Sequence, residues 1–185
     1  SYLEKLLVRT KEVVVFYDYS RGLRFARDRC NTGFPDSPNT RRILQGREEI
    51  GEDFPRDPLS LLPILEDFLT DQTQHGALVM DFVETVVPAG DLSFMGTEDR
   101  SSLVTLQRWT SDPAILGSDN LIILLTESLP DVNRKVQQSP MMSTIEVAMP
   151  DTDARKAFIR HLKDEYPKPG ISQKMLAEIT AGLTL

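Results

Sequence analysis

The chain has few of the residues that build metal sites, disulfides and membrane spans. Its 185 residues include one cysteine and two histidines. The single thiol, Cys30, excludes an internal disulfide and favours a reducing compartment, so we expect a cytoplasmic protein. Neither His75 nor His161 has cysteines or carboxylates at ligand spacing, and we expect no metal site. No apolar run approaches the roughly 20 residues that cross a bilayer, which excludes a membrane helix.

Charge is unevenly placed along the chain. The net charge is −7. Residues 1–47 carry ten Lys and Arg against five Asp and Glu, whereas the remainder carries eleven against twenty-three. The first part is therefore positive and the rest strongly negative. This asymmetry argues against nucleic-acid binding over the whole surface, although it leaves a local basic patch open.

Buried-strand patterns alternate with amphipathic helical patterns. The predicted strands cover residues 12–18, 76–82, 121–126 and 143–148, with helices between and around them. This alternation predicts an α/β fold, a three-layer α/β/α arrangement with a mostly parallel sheet. Residues 19–57, rich in Arg, Gly, Pro, Asn and Asp, predict a long loop or insertion.

Polar residues end three of the predicted strands. Asp18, Asp81 and Thr126 would share the carboxyl edge of a parallel sheet, where ligands of such folds collect. Four apolar residues precede Asp81, as in the metal-associated strand of P-loop ATPases. Phe82 stands where those enzymes often carry the Glu that polarises water, and Glu84 comes two residues later. A satisfied structural carboxylate is the more frequent role for such a strand end.

Residues 58–185 resemble the second half of an AAA+ ATPase core. Thr126 matches the polar sensor position, and Arg155 matches an arginine near the start of the following helix. The resemblance is carried by five segments in this order: LIILLTES at 121–128, a short helix at 129–138, IEVAMP at 145–150, DTDARKAFIRHL at 151–162 and LAEITAGLTL at 176–185. It implies a P-loop NTPase-like core over residues 1–166. Residues 167–185 would then be a linker and the first helix of a small, truncated helical lid.

The departures from the family pattern decide the expected function. No G-x-x-x-x-G-K-[ST] motif occurs, and residues 138–143 offer no arginine finger. Tyr17-Asp18, Gly22-Leu23 and Asp81-Phe82 are similar to a degenerate N-terminal ATPase-like domain of AAA proteins encoded in plastids and cyanobacteria. The resemblance implies a non-catalytic regulatory or assembly module. It also implies a larger ATPase, using ATP and Mg²⁺, whose catalytic domain lies downstream.

Two other functions stay open at this point. One is weak ATP or ADP binding, with Asp81 and Thr126 as contacts and the phosphate loop outside the sequence in hand. The other is an unrelated α/β adaptor that binds proteins. The expected partners are the downstream ATPase domain and neighbouring subunits. Candidate partner or phosphate contacts are the arginines of the long loop, for which a solvated role stands equally open: Arg21, Arg24, Arg27, Arg29, Arg41, Arg42 and Arg47.

Overall fold

The computed structural model describes residues 2–26, 34, 54–162 and 172–181. The chain divides into two compact units, residues 1–143 and 144–185. Each unit is described by itself below. None of the helices in the described ranges combines the length and the hydropathy that spanning a bilayer requires.

The first unit contains a four-stranded, mostly parallel sheet. Strands β1, β3 and β4 run parallel, and β2 pairs antiparallel with β1, so the order is β2-β1-β3-β4. The strands are β1 (Val13–Asp18), β2 (Gly22–Phe25), β3 (Gly76–Met80) and β4 (Leu121–Leu124). The predicted α/β fold with a mostly parallel sheet is confirmed.

Strand β2 falls inside the stretch predicted as a loop from residue 19, and that prediction is wrong there. A tight turn after Asp18 reverses the chain, and Gly22 takes the left-handed conformation at φ 76°. Glycine adopts this conformation without the steric cost that a Cβ brings. The four residues of β2 are too few, and too mixed in polarity, to produce a period-two signal in the sequence.

The strand predicted at residues 143–148 is not formed. The side chains of Ile145 and Val147 are 85% and 88% exposed, and residues 142–150 have no regular structure. Alternating apolar residues favour a strand only when a neighbouring strand pairs with their backbone. Among the described residues, nothing pairs with this segment, so its local preference is not realised.

Helices cover both faces of the sheet. On one face, Leu7 of the first helix packs against Val14, Phe16, Ala77 and Val79. The larger core on the other face includes residues of the second and third helices. The helices are α1 (Tyr2–Leu7), α2 (Pro58–Leu69), α3 (Thr97–Trp109), α4 (Pro113–Leu116) and α5 (Arg134–Gln137), with 3₁₀ turns at Val83–Thr85 and Leu129–Asp131.

The side chain of Asn120 joins three parts of the first unit just before β4. Its Oδ1 accepts from the Gly76 N–H at 2.7 Å. Its Nδ2 donates to the carbonyls of Leu69 and Asp71 at 2.9 and 3.0 Å. One side-chain amide therefore satisfies backbone groups at the end of α2, in the following loop and at the start of β3. These bonds fix where β3 enters the sheet.

Phe34 anchors its part of the chain in the larger core. Its side chain is fully buried. The ring lies 5.3 Å from Phe25, 5.5 Å from Phe54 and 5.0 Å from Phe68 between centroids. The tilted and edge-on arrangements are those that aromatic pairs prefer.

The second unit contains α6 (Thr152–Leu162) and α7 (Gln173–Ile179). Asp151 caps α6 by accepting from the Ala154 N–H at 2.7 Å. Arg155 is buried, and its Nε donates to the Ala177 carbonyl at 2.9 Å, which ties α6 to α7. The predicted boundary between core and lid at residues 166 and 167 lies outside the described residues.

Candidate functional site at the carboxyl edge of the sheet

Two strand-end carboxylates and one arginine meet at the carboxyl edge of the sheet. Asp18 is the last residue of β1, Asp81 follows β3, and Arg24 projects from β2. An Nη atom of Arg24 lies 3.5 Å from Asp81 Oδ2 and 3.8 Å from Asp18 Oδ2. We call Asp18, Arg24 and Asp81 the carboxyl-edge cluster. The parallel register of β1 and β3 brings the two carboxylates to the same edge, and the hairpin brings the arginine.

Asp18 organises the turn between β1 and β2. Its Oδ1 accepts from the Ser20 N–H, the Ser20 hydroxyl and the Arg21 N–H at 3.1, 2.7 and 2.8 Å. Burial opposes ionisation, but these hydrogen bonds and the Arg24 and Arg21 charges hold the pKa of Asp18 below its ordinary value. The carboxylate therefore occupies backbone amides that would otherwise be available to an external anion.

The pKa of Asp81 is shifted in the opposite direction from that of Asp18. Burial raises the pKa of Asp81, Arg24 lowers it, and the neighbouring Asp18 charge raises it; the net direction is upward. The backbone N–H of Asp81 donates to the Tyr17 carbonyl at 2.8 Å. No group of three or more His, Cys, Asp or Glu side chains that could hold a metal ion occurs within residues 2–26, 34, 54–162 and 172–181.

Phe82 makes a sharp bend in the chain directly after Asp81. It adopts the left-handed conformation at φ 53° and ψ 48°, which is uncommon for a residue with a bulky side chain. The Thr85 hydroxyl donates to the Phe82 carbonyl at 2.8 Å and closes the 3₁₀ turn. Half of the Phe82 side chain is exposed. The 3₁₀ turn begins directly after this bend, and the Val83 N–H donates to the Leu125 carbonyl at 3.0 Å.

An open cleft of about 410 Å³ lies beside this bend. Its walls include Asp18, Tyr19, Ser20, Phe82 and Thr85. The hydroxyl of Tyr19 donates to the Glu98 carboxylate at 3.2 Å, so the first turn of α3 holds one aromatic wall in place. The cleft therefore offers two aromatic surfaces, with Asp18, Ser20 and Thr85 as its polar lining residues.

A second, smaller cleft of about 260 Å³ is lined in part by Arg24. Glu4, Phe16, Asp81 and Leu125 are among its walls. The guanidinium carbon of Arg24 lies 5.6 Å from the centre of the Phe16 ring, within the range of a cation–π contact. Arg24 is thus held by two carboxylates and a ring.

Two residues named from the sequence do not join the cluster. The predicted strand end at Thr126 is wrong, because β4 ends at Leu124 and Thr126 closes the next turn. Its hydroxyl donates to the Ser128 carbonyl and accepts from the Ser128 N–H at 3.0 and 3.2 Å. Glu84 Oε2 is buried without a hydrogen-bond partner among the described residues, and no ion pair links it to Arg24.

The loop arginines divide into two groups. Arg21 and Arg24 belong to the described hairpin, where Arg21 donates its backbone N–H to Asp18. The others lie outside the described residues, as does Cys30: Arg27, Arg29, Arg41, Arg42 and Arg47. Sequence reasoning missed Ser20 and Tyr19 as parts of the site. The available signal was the spacing of Asp18 and Ser20, because Asp often accepts from the backbone two residues later in a turn.

A mostly parallel sheet with ligand-sized clefts beyond its strand ends defines a Rossmann-like α/β domain. The family model described as "AAA+ chaperone, N-terminal Rossmann-like domain" matches residues 1–148. The chain therefore belongs to this family of AAA+ chaperone N-terminal domains. A search of curated proteins finds no match.

Proposed function

We propose that this domain is a non-catalytic, ATPase-like module that regulates or assembles a larger AAA+ ATPase. The observation that carries the proposal is that the carboxylate of Asp18 already accepts hydrogen bonds from the backbone N–H groups of Ser20 and Arg21. Hydrolysis of a nucleotide needs donors directed at phosphate oxygens and an acid that holds Mg²⁺. Here the hairpin amides serve the protein's own carboxylate instead.

The state of Asp81 supports the same proposal. A carboxylate that binds Mg²⁺ must be ionised and directed at the cation. The pKa of Asp81 is raised by burial, and Arg24 already lies within 3.5 Å of its Oδ2. Phe82, in place of a glutamate, adds no group that polarises water. We therefore expect no ATPase activity of this chain above background.

Thermal unfolding of the purified chain with Mg-ATP or Mg-ADP tests the proposal against weak nucleotide binding. A ligand at one hundred times its dissociation constant stabilises a fold by about 2.7 kcal/mol. We expect no rise in melting temperature at millimolar nucleotide. Turnover by this chain that disappears in the Asp81→Asn variant would contradict a non-catalytic role.

Weak nucleotide binding remains a second candidate because of the cleft beside Phe82. Its volume of about 410 Å³ suits a small ligand, and Tyr19 offers an aromatic surface for a base. If a nucleotide binds there, Tyr19→Ala should abolish the nucleotide-dependent rise in melting temperature. Leu92→Ala, an exposed substitution outside that cleft, serves as the control.

The regulatory role has its own measurement. The chain is added in trans to the ATPase domain that we propose for the longer protein, and ATP turnover is followed against chain concentration. We expect saturable stimulation or inhibition, since a module that assembles with the ATPase must bind it. Turnover that stays constant at every concentration of folded chain would contradict regulation and leave the adaptor function.

A further inference from the structure

The rings of Tyr19 and Phe82 are two exposed walls of the cleft beside the Phe82 bend. The two residues are 42% and 50% exposed. In the described part of the chain, neither ring packs against another aromatic ring. Phe82 is exposed although its left-handed backbone at φ 53° is unfavourable for a bulky residue. Aromatic surface is therefore available to a ligand in this cleft.

Carboxylates act on the Tyr19 wall of the cleft. The Tyr19 hydroxyl donates to the Glu98 carboxylate at 3.2 Å. This hydrogen bond is the largest of the effects that raise the pKa of Tyr19 above its ordinary value, and the Glu98 charge is the next. Desolvation and the charges of Asp57 and Asp99 raise it further. Tyr19 therefore stays protonated, and three carboxylates place its ring in a negative field.

No described cation pairs with these three carboxylates. Where the structure describes the chain, the ion pairs of lysine, arginine and histidine involve acids other than Asp57, Glu98 and Asp99. The Asp57 carboxylate caps α2 by accepting from the Ser60 N–H, and Glu98 accepts from Tyr19. Both interactions leave the negative charge in place.

Three arginines near the β1–β2 hairpin reduce this negative charge without cancelling it. Arg24 lies between the two carboxylates of the carboxyl-edge cluster, and the charge of Arg21 acts on the same two groups. The Arg56 side chain lies beside Gly22, and its Cγ is 3.0 Å from where a Cβ on that glycine would stand. The two cluster carboxylates and the three near Tyr19 therefore outnumber the three guanidinium groups.

We propose that the cleft is a binding site for a guanidinium group, the head of an arginine side chain. A guanidinium is planar, so it stacks on aromatic rings while its N–H groups donate to a carboxylate. Tyr19 and Phe82 supply the rings, and the Glu98 carboxylate, bound to Tyr19, supplies the acceptor. The volume of about 410 Å³ holds the apolar stem of the arginine as well as its head. The site does not depend on the proposed regulatory function.

The same charges oppose the binding of a nucleotide in this cleft. Phosphate groups carry negative charge, and the carboxylates near Tyr19 repel it. The backbone amides of Ser20 and Arg21, which could donate to a phosphate, are already bound to Asp18. A guanidinium ligand and a nucleotide are therefore alternative occupants of opposite charge, and direct titrations separate them.

Two-dimensional NMR of the whole chain, titrated with N-acetyl-arginine amide, tests the site. We expect saturable shifts of the Tyr19, Ser20 and Phe82 amide signals at millimolar ligand, because cation–π contacts at exposed sites are weak. N-acetyl-citrulline amide is the matched ligand, since its urea group keeps the shape of the guanidinium and lacks the charge. It should bind about tenfold more weakly, and ADP should not shift these signals.

Two substitutions separate the ring from the charge. Phe82→Asn removes one ring at a backbone conformation that asparagine adopts readily, and should weaken binding of the arginine ligand about fivefold. Phe94→Asn is its control, because Phe94 is 92% exposed and does not line the cleft. Glu98→Gln keeps an acceptor for the Tyr19 hydroxyl and should reduce the preference for arginine over citrulline to about threefold. Glu146→Gln removes an exposed carboxylate of the second unit and should leave that preference unchanged. Circular dichroism verifies that all four variants are folded.

Nuclear Overhauser contacts in the ligand-free chain distinguish the two sources of an arginine. Contacts from an arginine of this chain to the Tyr19 or Phe82 ring would support the site and show that the chain fills it itself. Saturable binding of the free ligand without such contacts would support an arginine from another molecule. Absence of both would overturn the proposal. Equal binding of the arginine and citrulline ligands, binding that Phe82→Asn leaves intact, or ADP shifts of the same amide signals would also overturn it.

Discussion

The two strand-end aspartates should respond in opposite ways to removal of their charge. Asp18→Asn keeps an acceptor oxygen but loses the charge that strengthens the hydrogen bonds from Ser20 and Arg21. Hydrogen bonds to charged groups contribute roughly 1.5–3 kcal/mol each, against about 1 kcal/mol for neutral ones. Because the asparagine would still accept these bonds as a neutral group, we expect Asp18→Asn to lower the free energy of unfolding by about 2 kcal/mol at pH 7.

The pH dependence of this loss follows from the direction of the pKa shift. The pKa of Asp18 in the folded protein lies below its ordinary value, and the unfolded value is about 3.9. The stabilisation is therefore fully present above the unfolded pKa and is lost as pH falls through the folded pKa. The difference between wild type and Asp18→Asn should stay constant from about pH 7 to pH 5 and shrink below about pH 4.

Asp81→Asn should show the opposite pH dependence from Asp18→Asn. Because burial raises the pKa of Asp81 in the folded protein, its contribution is most favourable below the unfolded pKa. It weakens as pH rises through the folded pKa. Asparagine imitates the protonated form, and the partly exposed contact with Arg24 contributes little. We expect Asp81→Asn to be neutral or slightly stabilising at pH 7.

Urea unfolding followed by the fluorescence of buried Trp109 measures both variants. The reasoning is refuted if Asp18→Asn is neutral at pH 7. It is equally refuted if Asp81→Asn is as destabilising as Asp18→Asn, because the two carboxylates would then play the same role.

Three further substitutions test other contacts. Asn120→Ala removes three hydrogen bonds. At roughly 1 kcal/mol each, urea unfolding should show a free energy of unfolding lowered by about 3 kcal/mol. A decrease below about 1 kcal/mol would contradict this. Phe82→Asn should be tolerated, because asparagine adopts the left-handed conformation more readily than most residues. Phe82→Val should lower the free energy of unfolding by about 1 kcal/mol or more, because β-branched residues resist φ 53°. Equal melting temperatures of the two variants would contradict backbone strain at this position. Arg155→Met should speed amide exchange in α6 and α7 while leaving β3 unchanged; unchanged exchange in both helices would show that the arginine does not hold them together.

The sequence predicted the parts of the fold that rest on local, strongly patterned segments. Val13–Asp18 and Gly76–Met80 are continuous apolar runs, which parallel strands covered on both faces require. Asp57 before Pro58 predicted the start of α2, and the Asp57 carboxylate does accept from the Ser60 N–H at 2.9 Å. These elements were predictable because neighbouring residues decide them.

The remaining elements depend on contacts between distant residues. The sequence around residues 143–148 has strand character, yet the absence of a pairing strand among the described residues leaves it irregular. Conversely, β2 forms because the Asp18 turn returns the chain onto β1, although its own four residues carry no pattern. For the site, sequence identified Asp18, Arg24 and Asp81 separately. Their mutual neutralisation could not be predicted, because it depends on the hairpin that brings Arg24 back.

The burial of Phe34 changes how the arginine-bearing stretch between Ala26 and Phe54 should be regarded. Without that ring in the core, the two ends would be joined by a single closure spanning 28 positions. With it, the chain makes two closures, of 8 and 20 positions, and the entropic cost of each depends on its own length. Arg27 and Arg29 belong to the first closure, and Arg41, Arg42 and Arg47 belong to the second. Lengthening one closure should therefore leave the entropic cost of the other unchanged.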